Sequence, residues 1–339
     1  MSKFLDEGAY GCVYHPGVQC NGKKLPTKYI SKIQKKQDRT EYEPQIGKKL
    51  KAAIPYYERY FAPAIDACPV NLSSIKQKER SKCNVLTKHN ANNANNANNT
   101  NNPTKEAFVS MKIQYVGKHT LGDNFRNHAE KSPSTFYEHL RDAYMYLANA
   151  IEELRSQQIV HFDLKENNVM YSDKLHVPII IDFGMSFQVS SLYSEETLKK
   201  IFFTSYEKYP PWCPDIMCIA SIVNTPQWEK KKVRTNSLKL IIKTYFQHNP
   251  IIKLIRSQPY QEPLLKKQET QWLQYVEHLE QKKGKTALKE LLSRWNEWDM
   301  YSLNVMFLGF LHQYNMLDRD PQFTQELGRG TSRGTYGSP

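Results

Sequence analysis

Short runs of alternating and β-branched apolar residues open the chain. Within residues 1–16, "KFLDEGAYGCVYHP" reads as a strand, a glycine turn and a second strand, and "TKYISKIQKK" around Lys32 reads as a third. "EYEPQIGKKLKAAI" has a helical pattern, with Pro44 suited to the first turn, where its missing N–H costs little. "YFAPAIDACPV" predicts the next strand, and "AFVSMKIQYVG" a strand that runs into a glycine. Then the period changes. In "PSTFYEHLRDAYMYLANAIEELRSQQ" the apolar residues Phe136, Leu140, Leu147, Ile151 and Leu154 recur at helical spacing, which predicts a long helix with one buried stripe. "VMYSD" and "VPIIIDF" follow as a short hairpin. Apolar stripes in "SLKLIIKTYF" and "LLKKQETQWLQYVEHL" predict a mostly helical remainder. This order predicts an α+β fold of two lobes, a small β-rich one joined to a larger helical one.

Composition adjusts the picture in four places. "HNANNANNANNTNNP" has no apolar face to bury and predicts a disordered loop insertion. No apolar run is long enough for a membrane span, and "MSKFLDEGAYG" lacks the apolar stretch of a signal peptide. The 6 cysteines (Cys12, Cys20, Cys68, Cys83, Cys213, Cys218) form no C-x-x-C pair, so reduced thiols in a cytosolic setting are expected, without zinc or a disulfide framework. The net charge of +13 favours acidic partners, nucleic acid among them, although the lysine-rich "EKKKVR" and "KKGKTALK" read first as solvated helix faces.

The candidate chemistry lies after the long helix. In "HFDLKENN", Asp163 can take a proton from a hydroxyl, Lys165 can neutralise phosphate, and Asn168 can offer an amide oxygen to a hard cation. The nearby "IIIDFGMSF" adds Asp182 as a carboxylate for the same cation and Gly184 as a residue free to turn. His161 is expected to pack against this loop rather than act as a base, and Cys12 to be an inert thiol.

These two stretches resemble the H-R-D-L-K-x-x-N loop and the D-F-G motif of protein kinases. The opening "DEGAYGCV" is similar to the kinase glycine-rich loop, with Gly8, Gly11 and Val13 in place and Asp6 where the first glycine stands; "YISK" takes the place of V-A-I-K. The chain looks most like the serine/threonine kinases of large DNA viruses, which share "GAYGCVY-x-P" openings and low-complexity insertions. The resemblance implies ATP and Mg2+ (with Mn2+ as an alternative) as cofactors and proteins as substrates. It implies that Gly8, Gly11 and Val13 lie over the nucleotide and that Lys32 holds its phosphates. It pairs Lys32 with Glu43, or with Glu41 as a close second. Ile113 would be the gatekeeper, with the backbone of Gln114 and Val116 bonding adenine. Asp163 and Lys165 would be catalytic, and Asn168 and Asp182 metal ligands. Residues 1–113 would form the N-lobe with the insertion at about 72–105, 114–118 the hinge, and 119–320 the C-lobe. Residues 321–339 would be a disordered tail. The host cytoplasm, and the virion if the viral resemblance holds, would be its location.

The pattern departs from that family at several points. Phe162 replaces the arginine that commonly receives an activation-loop phosphate, so activity without that phosphorylation is expected. "WCPD", with Asp215, stands in for A-P-E. "DMYSLNV" looks like the helix that normally follows soon after, with Asp299 bracing the loop backbone, which makes about 216–298 a helical insertion. A partner-binding pseudokinase and a small-molecule phosphotransferase of the same fold are the alternatives, with a basic nucleic-acid-binding protein as a third.

Overall fold

A computed structural model describes residues 2–8, 11–20, 22–36, 40–87, 108–258, 262–280 and 282–332. The chain divides into two compact units, 1–119 with 170–184 and 120–169 with 185–339.

The first unit is built on strands β1 (Lys3–Glu7), β2 (Gly11–His15), β3 (Tyr29–Lys35), β4 (Phe61–Ala62), β5 (Ala64–Pro69) and β6 (Phe108–Gln114). Five of them form one antiparallel sheet in the order β1-β2-β3-β6-β5. Val13 lies opposite Lys32, Lys32 opposite Met111, and Ile30 opposite Ile113. Side chains alternate across a sheet, so Val13, Lys32, Met111 and Ile113 share one face while Cys12, Tyr14 and Ile33 share the other. The Met111–Ile113 face collects Ala62, Ala64 and Ile179 into a buried cluster, with Val116 packed against it. Helix α1 (Tyr42–Ala53) packs on β5. The hairpin of β8 (Val169–Ser172) and β9 (Val177–Ile181) adds to β4, which runs parallel to β9.

Two expectations are corrected in this unit. Residues 72–87 are not part of a disordered insertion. They form a 3-10 turn (Leu72–Ser74) and helix α2 (Gln77–Arg80), and Ile75, Cys83 and Leu86 are buried against Cys12, Tyr14 and Ile33. The Glu79 carboxylate accepts the Phe4 N–H at 2.9 Å, which ties this segment to β1. The asparagine-rich part, 88–105, lies outside the described residues. The thiols are not all reduced either. Cys12–Cys83 and Cys20–Cys68 are disulfides with Cα separations of 6.0 and 5.9 Å, bridging sequence separations of 71 and 48. The sheet and the segment packed on it bring together cysteines that no short spacing could pair. Cys213 and Cys218 remain thiols, both buried.

The second unit is mainly helical. Helix α3 (Leu121–Lys131) starts with a capping box in which Thr120 and Asp123 satisfy each other's backbone N–H. Helix α4 (Phe136–Ser156) buries Phe136, Leu140, Leu147, Ile151 and Leu154 as its periodicity predicts. Strands β7 (Ile159–Val160) and β10 (Phe187–Gln188) pair antiparallel and flank the "HFDLKENN" loop. Beyond a short helix α5 (Glu195–Ile201) come α6 (Pro214–Val223), α7 (Thr235–His248), α8 (Pro250–Arg256), α9 (Glu262–Glu280) and α10 (Gly284–Leu292). These fill the region expected to be a helical insertion. Helix α11 (Trp298–Gln313) is buried almost all round, as the consecutive buried residues Tyr301, Ser302, Leu303, Asn304 and Val305 show.

The two lysine-rich runs meet rather than coating separate helix faces, because Lys232 and Lys283 form an antiparallel bridge. Residues 321–332 are not a disordered tail: they form helix α12 (Pro321–Ser332), which packs on α11 and buries Phe323 and Leu327. Among the described residues no helix is long and apolar enough to cross a membrane.

Candidate active site

In the first unit the site centres on one ammonium group. Lys32 Nζ lies 2.7 Å from Asp182 Oδ1 and 3.4 Å from Glu43 Oε2. Its position follows from β3, whose alternation turns it away from Ile33. Glu43 reaches it from the first turn of α1; Glu41 precedes that helix and makes no such pair. The side chains of Lys32, Glu43 and Asp182 are 13 %, 4 % and 42 % exposed. Glu43 is thus sealed beneath the lysine, while Asp182 keeps a face open to a cation. Burial alone would lower the Lys32 pKa, but the carboxylates of Glu43 and Asp182 outweigh it and hold the group above its ordinary value.

Close backbone approach fixes this arrangement. A Cβ on Gly47 would fall 1.9 Å from the Ala64 carbonyl oxygen, so α1 sits on β5 only with glycine there. We expect Gly47→Ala to lift the helix, separate Glu43 from Lys32 and cost about 1–3 kcal/mol, read by urea unfolding. Gly11 is required for a similar reason, since its Cβ would lie 2.3 Å from Ile33 O. The strand contact therefore accounts for Gly11 without invoking a nucleotide. Gly8 donates its N–H to Gly11 O at 2.9 Å; Ala9 and Tyr10 between them lie outside the described residues. Val13 shares the face of Lys32. Ile113 is buried at the end of β6, and Gln114 and Val116 follow it half-buried, with the Tyr115 N–H bonded to Lys28 O.

Asp182 has φ of 58°, the left-handed region that costs a non-glycine residue energy. Phe183 behind it is fully buried edge-on against Phe61. Gly184 returns its N–H to Asp182 Oδ1 at 3.3 Å.

In the second unit the 161–168 loop gathers its polar residues around Asp163. Lys165 Nζ lies 2.9 Å from Asp163 Oδ2 and 3.1 Å from Oδ1. Asn168 Nδ2 donates to Asp163 O at 2.8 Å and to Oδ2 at 3.0 Å. Both bonds use the amide nitrogen, so the Asn168 oxygen is the atom suited to a cation. The loop backbone is held from α11: Asp299 accepts the His161 N–H at 2.6 Å and the Phe162 N–H at 2.9 Å. Asp299 is buried, which raises its pKa, against the lowering effect of His161 and of the two backbone bonds. His161 is also buried. Its carbonyl accepts the Ser186 hydroxyl at 3.1 Å.

Phe162, in left-handed backbone at φ 70°, sits in an aromatic cluster of Phe187, Phe202, Trp212 and Trp298, with ring centroids 5.3–6.1 Å away. Trp212 Nε1 donates to Phe162 O at 3.0 Å. Asp215, at the start of α6, is paired with Arg294 Nη1 at 3.2 Å. Burial pushes its pKa up to about 6, against the pull of Arg294. Truncating one partner of a buried pair strands the other's charge, so Arg294→Met should cost about 3–5 kcal/mol in urea unfolding.

The contacts of three groups carried no sequence signal, although Trp212 opens the "WCPD" stretch. Tyr209 donates its hydroxyl to Asp163 Oδ1, Arg294 completes Asp215, and Trp212 fastens the loop. Each lies far along the chain from the residue it contacts, and no motif spacing links them.

Residues 74–214 match a family model described as the protein kinase domain. The match supports a protein kinase family for this chain. The α+β architecture, β-rich toward the N terminus and helical toward the C terminus, agrees with that match, which covers less than half of the chain. The matched stretch takes in the 161–168 loop, Asp182 and Tyr209; Gly8, Lys32 and Glu43 precede it. No curated protein matches the chain.

Proposed function

We propose that the chain is a serine/threonine protein kinase that transfers the γ-phosphoryl group of ATP to protein hydroxyls. The observation that carries this reading is the Lys32 ammonium, buried on a strand and fixed 2.7 Å from a half-exposed carboxylate 150 residues away. Held by Glu43 beneath, it is a pre-oriented cation for the α- and β-phosphates. Gly8, Gly11 and Val13 would cover the nucleotide, and the backbone of Gln114 and Val116 would bond adenine beside Ile113. Asp163 would orient the acceptor hydroxyl and take its proton, and Lys165 would neutralise charge on the transferring group. The lysine at position 165 supports serine or threonine as acceptor.

Asp182 offers a half-exposed carboxylate and Asn168 an amide oxygen, each a hard donor of the kind Mg2+ takes. Bound with ATP, Mg2+ would offset the phosphate charge. The "GAYGCVY" opening and the asparagine-rich stretch support a kinase of large-DNA-virus type. The two disulfides favour an oxidising setting over the host cytoplasm; mass measurement of alkylated chain with and without reductant should show four cysteines changing state and two unchanged.

Ligand-linked stability tests the site. Saturating ATP with Mg2+ should stabilise the chain by about 2.7 kcal/mol at a hundredfold excess over Kd. Asp182→Asn should remove the metal-dependent part, and Lys32→Met most of the whole. Equal stabilisation by ATP with a chelator present would count against the assignment of Asp182. The aromatic contacts of Phe162 anchor the segment after Gly184 without a phosphate, so phosphate-free chain should already be active. An inert preparation rescued by phosphate on residues 186–206 would refute that.

A further inference from the structure

The Tyr209 hydroxyl makes the two contacts that an acceptor hydroxyl would need. It donates to Asp163 Oδ1 and accepts from Lys165 Nζ at 3.2 Å. We propose that Tyr209 is the chain's own phosphoacceptor, modified by transfer within one molecule. The proposal rests on the kinase reading above and adds to it a tyrosine target.

The placement is built rather than incidental. The Tyr209 ring stands edge-on to Trp212 at 5.2 Å, and Trp212 is itself bonded to the Phe162 carbonyl. The Tyr209 N–H bonds to Tyr206 O at 3.0 Å, and its carbonyl accepts the Trp212 N–H at 3.2 Å, so the backbone is pinned on both sides. Lys165 Nζ lies 5.7 Å from the ring centroid. An acceptor oxygen already hydrogen-bonded to the base is the geometry that makes an intramolecular step fast. Tyr206, three residues earlier, is exposed instead.

The step balances. The Tyr209 phenolic oxygen forms a bond to the γ-phosphorus of ATP, and the bond from that phosphorus to the β–γ bridging oxygen breaks. The phenolic proton passes to the Asp163 carboxylate and ADP leaves. The product carries close to two negative charges beside Asp163, which repels it. Modification therefore vacates the position that a protein hydroxyl must enter. A first turnover on itself needs competence before any phosphate is present, which the aromatic contacts of Phe162 supply.

The test uses phosphate-free full-length chain with radiolabelled ATP and Mg2+, followed by phosphopeptide mapping. Phosphotyrosine should appear at Tyr209, to at most one per chain, at a first-order rate independent of protein concentration. It should be lost in Asp163→Asn and retained in Tyr206→Phe. Tyr209→Phe should lower the apparent KM for a basic acceptor protein about tenfold, the lower end for a charge-assisted hydrogen bond, and remove any lag. Transfer to the acceptor with no label at Tyr209 would overturn the proposal, as would a rate proportional to chain concentration. A fall in kcat at unchanged KM in Tyr209→Phe would also overturn it, since Tyr209 would then only position Asp163. Absence of transfer to any acceptor by the unaltered chain would instead overturn the kinase reading.

Discussion

Asp163→Asn should lower phosphate transfer about a hundredfold to ten-thousandfold, the range for loss of a positioned general base, while the chain should stay folded. Asparagine has the shape of aspartate and keeps an oxygen for the Asn168 amide, so the loop should not collapse. What disappears is the charge that balances Lys165, 2.9 Å away, and that the proposed reaction needs to take a proton. The effect should fall on kcat, with ATP affinity nearly unchanged, because the nucleotide phosphates are assigned to Lys32. Initial rates on a basic protein, with unfolding midpoints measured in parallel, separate this from misfolding. A variant that unfolds several degrees earlier would place Asp163 among the structural residues instead.

Asp299→Ala should destabilise the chain by about 2–6 kcal/mol, because two buried N–H groups are orphaned at about 1–3 each. Both Asp299 oxygens are used, one by His161 and one by Phe162. Water cannot readily replace them, since His161, Phe162 and Trp298 are nearly inaccessible. Phe162 also holds left-handed backbone, a conformation that survives only while its surroundings enforce it. Activity should fall with stability, and Asp299→Asn, which retains one acceptor oxygen, should lie between wild type and alanine. Urea unfolding gives the first quantity and transfer rates the second. Wild-type stability in Asp299→Ala would mean that the two backbone bonds contribute nothing net.

Much of this was legible because the chemistry is concentrated in short motifs. Asp163, Lys165 and Asn168 fall within six consecutive residues, and the loop that spaces them also orients them. Lys32 was legible through the resemblance of "YISK" to V-A-I-K, and the strand register then shows which face it takes. The choice between Glu43 and Glu41 was not, since it depends on where α1 starts and how closely Gly47 lets it approach. The disulfides were invisible because pairing across 71 and 48 residues depends on sheet order and on the segment packed over it. Helix α12 escaped because Phe323 and Leu327 are too sparse an apolar stripe beside a glycine-rich end. Tyr209 sits in a stretch dense in tyrosine and proline, where sequence offers no reason to prefer it to Tyr206.

Radiolabelled phosphate transfer from ATP and Mg2+ to a generic basic protein, run side by side for the unaltered chain, Lys32→Met and Asp163→Asn, tests the kinase reading most directly. The result required is robust labelling by the unaltered chain and near-background labelling by both variants. Equal labelling by all three would contradict it.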